Sequence, residues 1–85
     1  MNKDINAITV LLATQGMINI GAVPDPITRE TRSDPEKAMV FLQLLEVLRE
    51  KTRGNLTGDE EDFLNSAIEN MGLVIRSRKN NGEEE

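Results

Sequence analysis

The stretch "EKTRGNLTGDEEDF", residues 50–63, decides how the chain is read, because it holds the end of one helix and the start of the next. Four consecutive acids, Asp59, Glu60, Glu61 and Asp62, follow a glycine-containing turn. Such a run is either a metal or catalytic cluster or the first turn of a helix. Spacing favours the helix. Thr57 and Glu60 stand three apart, the separation of a capping box, in which the Thr hydroxyl accepts from the Glu60 N–H and the carboxylate accepts from the Thr57 N–H. Asp59, Glu60 and Glu61 then face the positive end of the helix dipole, each placement worth about 0.3–1 kcal/mol, and the cap adds about 1 kcal/mol. Successive helical residues do not share a face, and the alternate acids, glycine and distal Glu of a calcium loop are not here. No metal site is read from these acids.

Upstream, Gly54 is expected to end a helix in the left-handed conformation, after the basic residues Lys51 and Arg53 that suit a helix C-terminus. That helix opens on "SDPE", residues 33–36, where Ser33 and Glu36 repeat the capping-box spacing and Pro35 sits in the first turn. Its body, "KAMVFLQLLEVLREKTR", carries one apolar row of Ala38, Phe41, Leu45 and Leu48, with a second row of Val40, Leu44 and Val47 beside it. Glu46, Glu50 and Arg53 face away. Downstream, Phe63, Leu64, Ala67, Ile68, Met71, Val74 and Ile75 share one helical face. The two helices form an antiparallel hairpin, with Leu56 closing its end. Met71 at this spacing reads as core filler.

A third helix precedes them, from about Asp4 to Asn19. Ile5, Ile8, Leu11, Leu12 and Ile18 lie on one side, and Val10 and Met17 extend the apolar surface. Asn2, Asn6, Thr9, Ala13 and Gly16 leave a narrow, weakly polar stripe. A helix apolar over most of its circumference is buried on more than one side, and two short helices do not easily wrap it. Self-association is therefore expected, as a homodimer or higher homo-oligomer through this helix. Ile5, Ile8 and Leu12 also match the anchor spacing of a helix laid in a protein groove, which leaves room for one protein client. The connection "GAVPDPITRETR" starts with Gly21 as a left-handed cap. Its Pro24-Asp25-Pro26 core is either a binding loop or a stiff strap pinned to the core by Val23 and Ile27.

Composition narrows function further. With 85 residues the chain is one small helical domain, read as residues 1–79, with 80–85 a disordered acidic tail. Cysteine and histidine are absent, which removes thiolate and imidazole metal ligands, Cys nucleophiles and Ser-His-Asp triads. The net charge of −5 disfavours direct nucleic-acid contact, and Phe41 and Phe63 are the only aromatic residues available for base stacking. Arg76, Arg78 and Lys79 read as dipole partners at a helix end. Asp4, Thr14, Gln15 and Asn19 interrupt the N-terminal apolar run, so neither a signal peptide nor a membrane span is read there, and a cytoplasmic location is expected. Every Asp and Glu falls on a polar face, a loop or a cap. No enzymatic activity, catalytic residue or cofactor is expected.

The segments "GAVPDPIT", "AMVFLQLLEVLREKTRGNLTGDEEDFL" and "MGLVIR" resemble a family of short bacterial proteins known as domain of unknown function 1844, over about Ile5 to Arg78. Glu50–Leu64 is the sharpest part. The resemblance implies an all-helical module in a cytoplasmic setting and assigns no catalytic residue. This chain departs from it in lacking an aromatic-rich first helix. The expected architecture is all-α: an apolar N-terminal helix packed on an antiparallel helical hairpin. The expected function is a non-enzymatic protein-interaction or oligomerisation module, using Ile5, Ile8, Leu12 and the loop residues Pro24, Asp25 and Pro26. The alternative is an accessory protein that regulates nucleic-acid machinery by binding one of its protein components.

Overall fold

Three helices follow one another along the chain: α1 (Ile5–Ile20), α2 (Pro35–Lys51) and α3 (Gly58–Glu83). They come from a computed structural model that describes residues 5–31 and 33–83, with side chains up to residue 78. Asn2, Asp4, Arg32, the Lys79 side chain and the end of the acidic tail, Glu84 and Glu85, lie outside the described residues. The architecture is all-α, with α1 packed against the α2–α3 hairpin. Principal dimensions of 43 × 27 × 17 Å leave a body less than two helix diameters thick, so each helix keeps a face toward solvent.

Local chemistry sets each boundary. At the end of α1, Gly21 takes φ 86°, its N–H donates to the Ile18 carbonyl, and the Ala22 N–H donates to Met17. That pair of bonds is a Schellman motif, with Ala22 and Met17 both packed on the core as its apolar contact. At the hairpin turn the expected capping box is present: Glu60 N–H donates to Thr57 Oγ1 at 3.1 Å and Thr57 N–H to Glu60 Oε1 at 2.9 Å. Gly54 has φ 82° as expected, although the helix itself stops two residues earlier, with Thr52 as its C-cap. Leu56 packs against the core and closes the turn.

The start of α2 corrects the expectation for Ser33. Asp34 is the N-cap, its side chain accepting from the Lys37 N–H at 3.1 Å. Pro35 explains the shift by one residue. Proline is favoured at the first helical position and holds its predecessor extended, which is the N-cap conformation. The Asp34 N–H also donates to the Asn19 carbonyl at 2.6 Å, tying the start of α2 to the end of α1. At the other end of the chain α3 continues past Lys79 to Glu83, because extending a formed helix needs no new nucleus.

Ile20, Ala38, Leu42, Leu45, Leu64, Ile68, Met71 and Ile75 form the buried core. Here α1 departs from the sequence reading. Its weakly polar stripe faces the hairpin, with Leu12, Met17 and Ile20 beside it: Thr9 is fully buried, Gly16 is buried and Ala13 is half-buried. The Thr9 hydroxyl is satisfied by the Ile5 carbonyl. Small residues let the helices approach closely. A Cβ at Gly16 would stand 2.6 Å from Met71 Cε, 2.7 Å from its Sδ and 3.4 Å from Phe41 Cβ. Close approach through the stripe turns Ile8, Val10 and Leu11 outward.

Substitutions at three places test these local arguments by thermal or denaturant unfolding. Gly16→Val should destabilise by about 1–3 kcal/mol through overpacking, and Gly16→Val combined with Met71→Ala should cost less than the sum of the two changes. Gly54→Ala meets nothing within 4 Å, so its cost should be that of the positive φ alone, about 1 kcal/mol. Asp34→Ala should cost about 1 kcal/mol as a lost cap, and Ser33→Ala almost nothing; equal costs would return the cap to Ser33.

Candidate interaction surface

The outer side of α1 is the least ordinary surface of the molecule. Over its 16 residues, "INAITVLLATQGMINI", there is no charged side chain. Ile8 is 48% exposed, Val10 49% and Leu11 59%, with Ala7, Thr14 and Gln15 also exposed around them. Exposed apolar residues are common singly; a helix with apolar groups outward and no charge at all is not. Of the three anchors expected on α1, the structure brings only Ile8 to the surface. Ile5 is half-buried, and Leu12 packs on the core. Leu11 stands where Leu12 was expected, one residue round the helix, because the buried stripe and not the apolar side sets the rotation of α1.

A second exposed row lies on α2. Ala38, Leu42 and Leu45 are buried, with Phe41 and Leu48 half-buried beside them. Val40, Leu44 and Val47 all remain exposed. Their spacing makes them a second apolar row, but periodicity alone does not say that they stay uncovered. Phe41 meets α1 at Gly16, and Leu44 and Leu48 follow it at i+3 and i+7, so Leu44 sits at the border with α1. On α1 the same border is marked by Asn19, whose carbonyl receives the Asp34 N–H. Ile8, Leu12 and Gln15 share its side of the helix. The two exposed rows therefore flank one interhelical border.

The loop after α1 corrects another expectation. Val23 is 40% exposed and Ile27 is 89% exposed, so neither pins the loop to the core; Ala22 does so instead. The loop is held by its own backbone. Asp25 Oδ1 accepts from the N–H groups of Ile27 and Thr28, the Asp25 N–H donates to the Glu30 carbonyl at 2.9 Å, and Arg29 N–H donates to the Asp25 carbonyl at 2.7 Å. Arg29 closes the turn with φ 63°. Pro24 and Pro26 are exposed and Asp25 is half-buried. The three expected loop residues are thus brought together with Ile27 in one hydrogen-bonded turn.

Two of the acids are engaged in helix caps. Glu60 belongs to the capping box and Asp34 caps α2. An open cleft of about 590 Å3 beside the first turn of α2 is lined by Asp34, Pro35, Glu36, Met39, Gln43 and Ile75. Among the described residues no group of three or more acids is gathered closely enough to hold a metal ion, and no helix is long and apolar enough to cross a membrane. Arg49 on α2 donates to Asn65 Oδ1 on α3 at 3.3 Å, a polar link across the hairpin rather than part of a site.

Comparison with curated proteins and with solved structures returned no match. The family model for Domain of unknown function (DUF1844) matches residues 2–74, which take in α1, the Asp25 loop, α2, the capping-box turn and most of α3. With that match spanning most of its length, and with the helical order just described, the chain belongs to the DUF1844 family.

Proposed function

We propose that this protein is a non-enzymatic helical module that works by associating with protein, and that its contact surface is the uncharged outer side of α1 with the neighbouring row of α2. The observation that carries this reading is the composition of α1. A helix without a single charge leaves Ile8, Val10 and Leu11 about half-exposed or more, in a chain whose other two helices are dressed with charge. Leaving that much apolar side chain in water forgoes roughly 25 cal/mol for each Å2 that a partner would cover. The first partner of such a surface is a second copy, since a domain of this size builds only a small core of its own. Accessory action on nucleic-acid machinery through one of its protein components would use the same surface.

The loop supports a second contact. Ile27 is nearly fully exposed in a segment held by the hydrogen bonds of Asp25, so less backbone ordering remains to be lost when a partner binds. This is the form of an anchor residue for a client protein.

Light scattering across a wide concentration range tests the main reading. The wild-type chain should gain mass as concentration rises, and Ile8→Lys with Leu11→Lys should remain monomeric while keeping its helical circular dichroism. Ile27→Asp should leave that self-association unchanged. A chain that stays monomeric at every concentration, with or without the lysines, would overturn the reading.

A further inference from the structure

The exposed row of α2 has a spacing and a charge pattern of its own. Lys37, Val40, Leu44, Val47 and Lys51 follow one another at intervals of three, four, three and four. That is the spacing of a coiled-coil seam, the narrow stripe by which one helix lies along another. All five residues are exposed, and the core-facing residues of α2 belong to a different row. α2 therefore carries two packing seams, and the fold covers one.

Charge points to what covers the other. The seam is bounded by Glu36-Lys37 at one end and Glu50-Lys51 at the other, with Val40 and Val47 placed nearly evenly about Leu44. Laying a second α2 antiparallel across it, about a two-fold axis near Gln43 and Leu44, sets Lys37 against Glu50 of the other copy and Glu36 against its Lys51. Val40 then meets Val47 of the other copy, and the two Leu44 side chains meet near the axis. Each contact between different residues occurs twice, as an isologous interface requires. A parallel pairing would instead set Lys37 against Lys37 and Lys51 against Lys51. Glu50 already pairs with Arg53 one turn on; both groups are largely exposed, so that pair is a weak competitor.

From these features we infer that the chain forms a homodimer through antiparallel pairing of α2 with α2 of a second copy, along Val40, Leu44 and Val47. The inference rests on the association reading above and names its geometry. Stable dimers bury about 800 Å2 on each partner, more than three side chains supply. Ile8, on the α1 side of the same border, adds to that area, so the uncharged side of α1 flanks the two-fold seam. The charge balance agrees. Two copies of net charge −5 repel over most of their surface, and this face is apolar with its charges in self-matching pairs.

A charge-swap series with sedimentation velocity tests the register. Lys37→Glu and Glu50→Lys should each raise the dimer dissociation constant several-fold, and the double variant should restore it, because the swapped charges meet again across the axis. Residues 37 and 50 lie about 20 Å apart along one helix, so the rescue has no route within a single chain. Leu44→Glu should weaken the dimer about tenfold or more. Leu44→Cys gives a chain with one cysteine, which should cross-link to itself under mild oxidation, while Val40→Cys should not. A dimer that resists Leu44→Glu and the charge changes yet falls apart with Ile8→Lys overturns the α2 register and leaves the association reading standing. A monomer throughout overturns both.

Discussion

The close approach of α1 to the hairpin at Gly16 governs the rest of the molecule. With no room for a Cβ between Gly16 and the Met71 thioether, α1 lies against α2 and α3 along the stripe that holds Thr9, Ala13 and Gly16, with Leu12, Met17 and Ile20 packed on the core beside it. That contact sets the rotation of the helix about its own axis. Once it is set, Ile8, Val10 and Leu11 are turned outward, while Ile18 near the end of the helix stays buried. Methionine suits the position opposite Gly16, being unbranched and able to fill an irregular gap. The apolar outer surface is thus a consequence of how the core is made.

The same logic separates the two rows of α2. Its inner row meets both neighbouring helices, and three helices of this length do not reach round to the outer one. Val40, Leu44 and Val47 remain uncovered for a geometrical reason, since a three-helix body has no fourth helix to lay over them. Charge is placed accordingly. It is absent from α1, bounds the outer seam of α2 in Glu-Lys pairs, and gathers at the first turn of α3, where the helix dipole favours acids. Function, on this reading, is carried by surfaces that the small core leaves over, with the rigid Asp25 loop as a separate point of contact.

Much of the fold was legible in the residues. The three helices, the hairpin, the Thr57–Glu60 capping box, the left-handed Gly21 and Gly54 and the closure by Leu56 all follow from interactions within a few residues, and local interactions leave local signatures. The exception among the caps is instructive. Ser33 and Asp34 both have a side chain able to cap α2, and the choice between them was decided by the proline that follows, whose ring fixes its own φ and extends its predecessor. Of the two readings of the loop, the strap pinned by Val23 and Ile27 fails for a related reason. An apolar residue in a loop suggests attachment to the core, but a loop closed by its own Asp25 hydrogen bonds needs no attachment.

The candidate surface was only half visible. Its ingredients, an apolar first helix without charge and a second apolar row on α2, stand in the sequence, and so does the Glu-Lys symmetry about Leu44. Which side of α1 would be buried did not, because a helix apolar nearly all round has no periodicity to announce its inner face. Packing made that choice, and it went to the smallest side chains because they allow the closest approach of backbones. The sequence by itself determined the helices, their caps, their turns and the absence of charge on α1, since each depends on residues near one another along the chain. Tertiary structure alone decided that Thr9 and Gly16 face inward and Ile8 and Leu11 outward, since that depends on the shape of Met71 and Phe41 on two other helices.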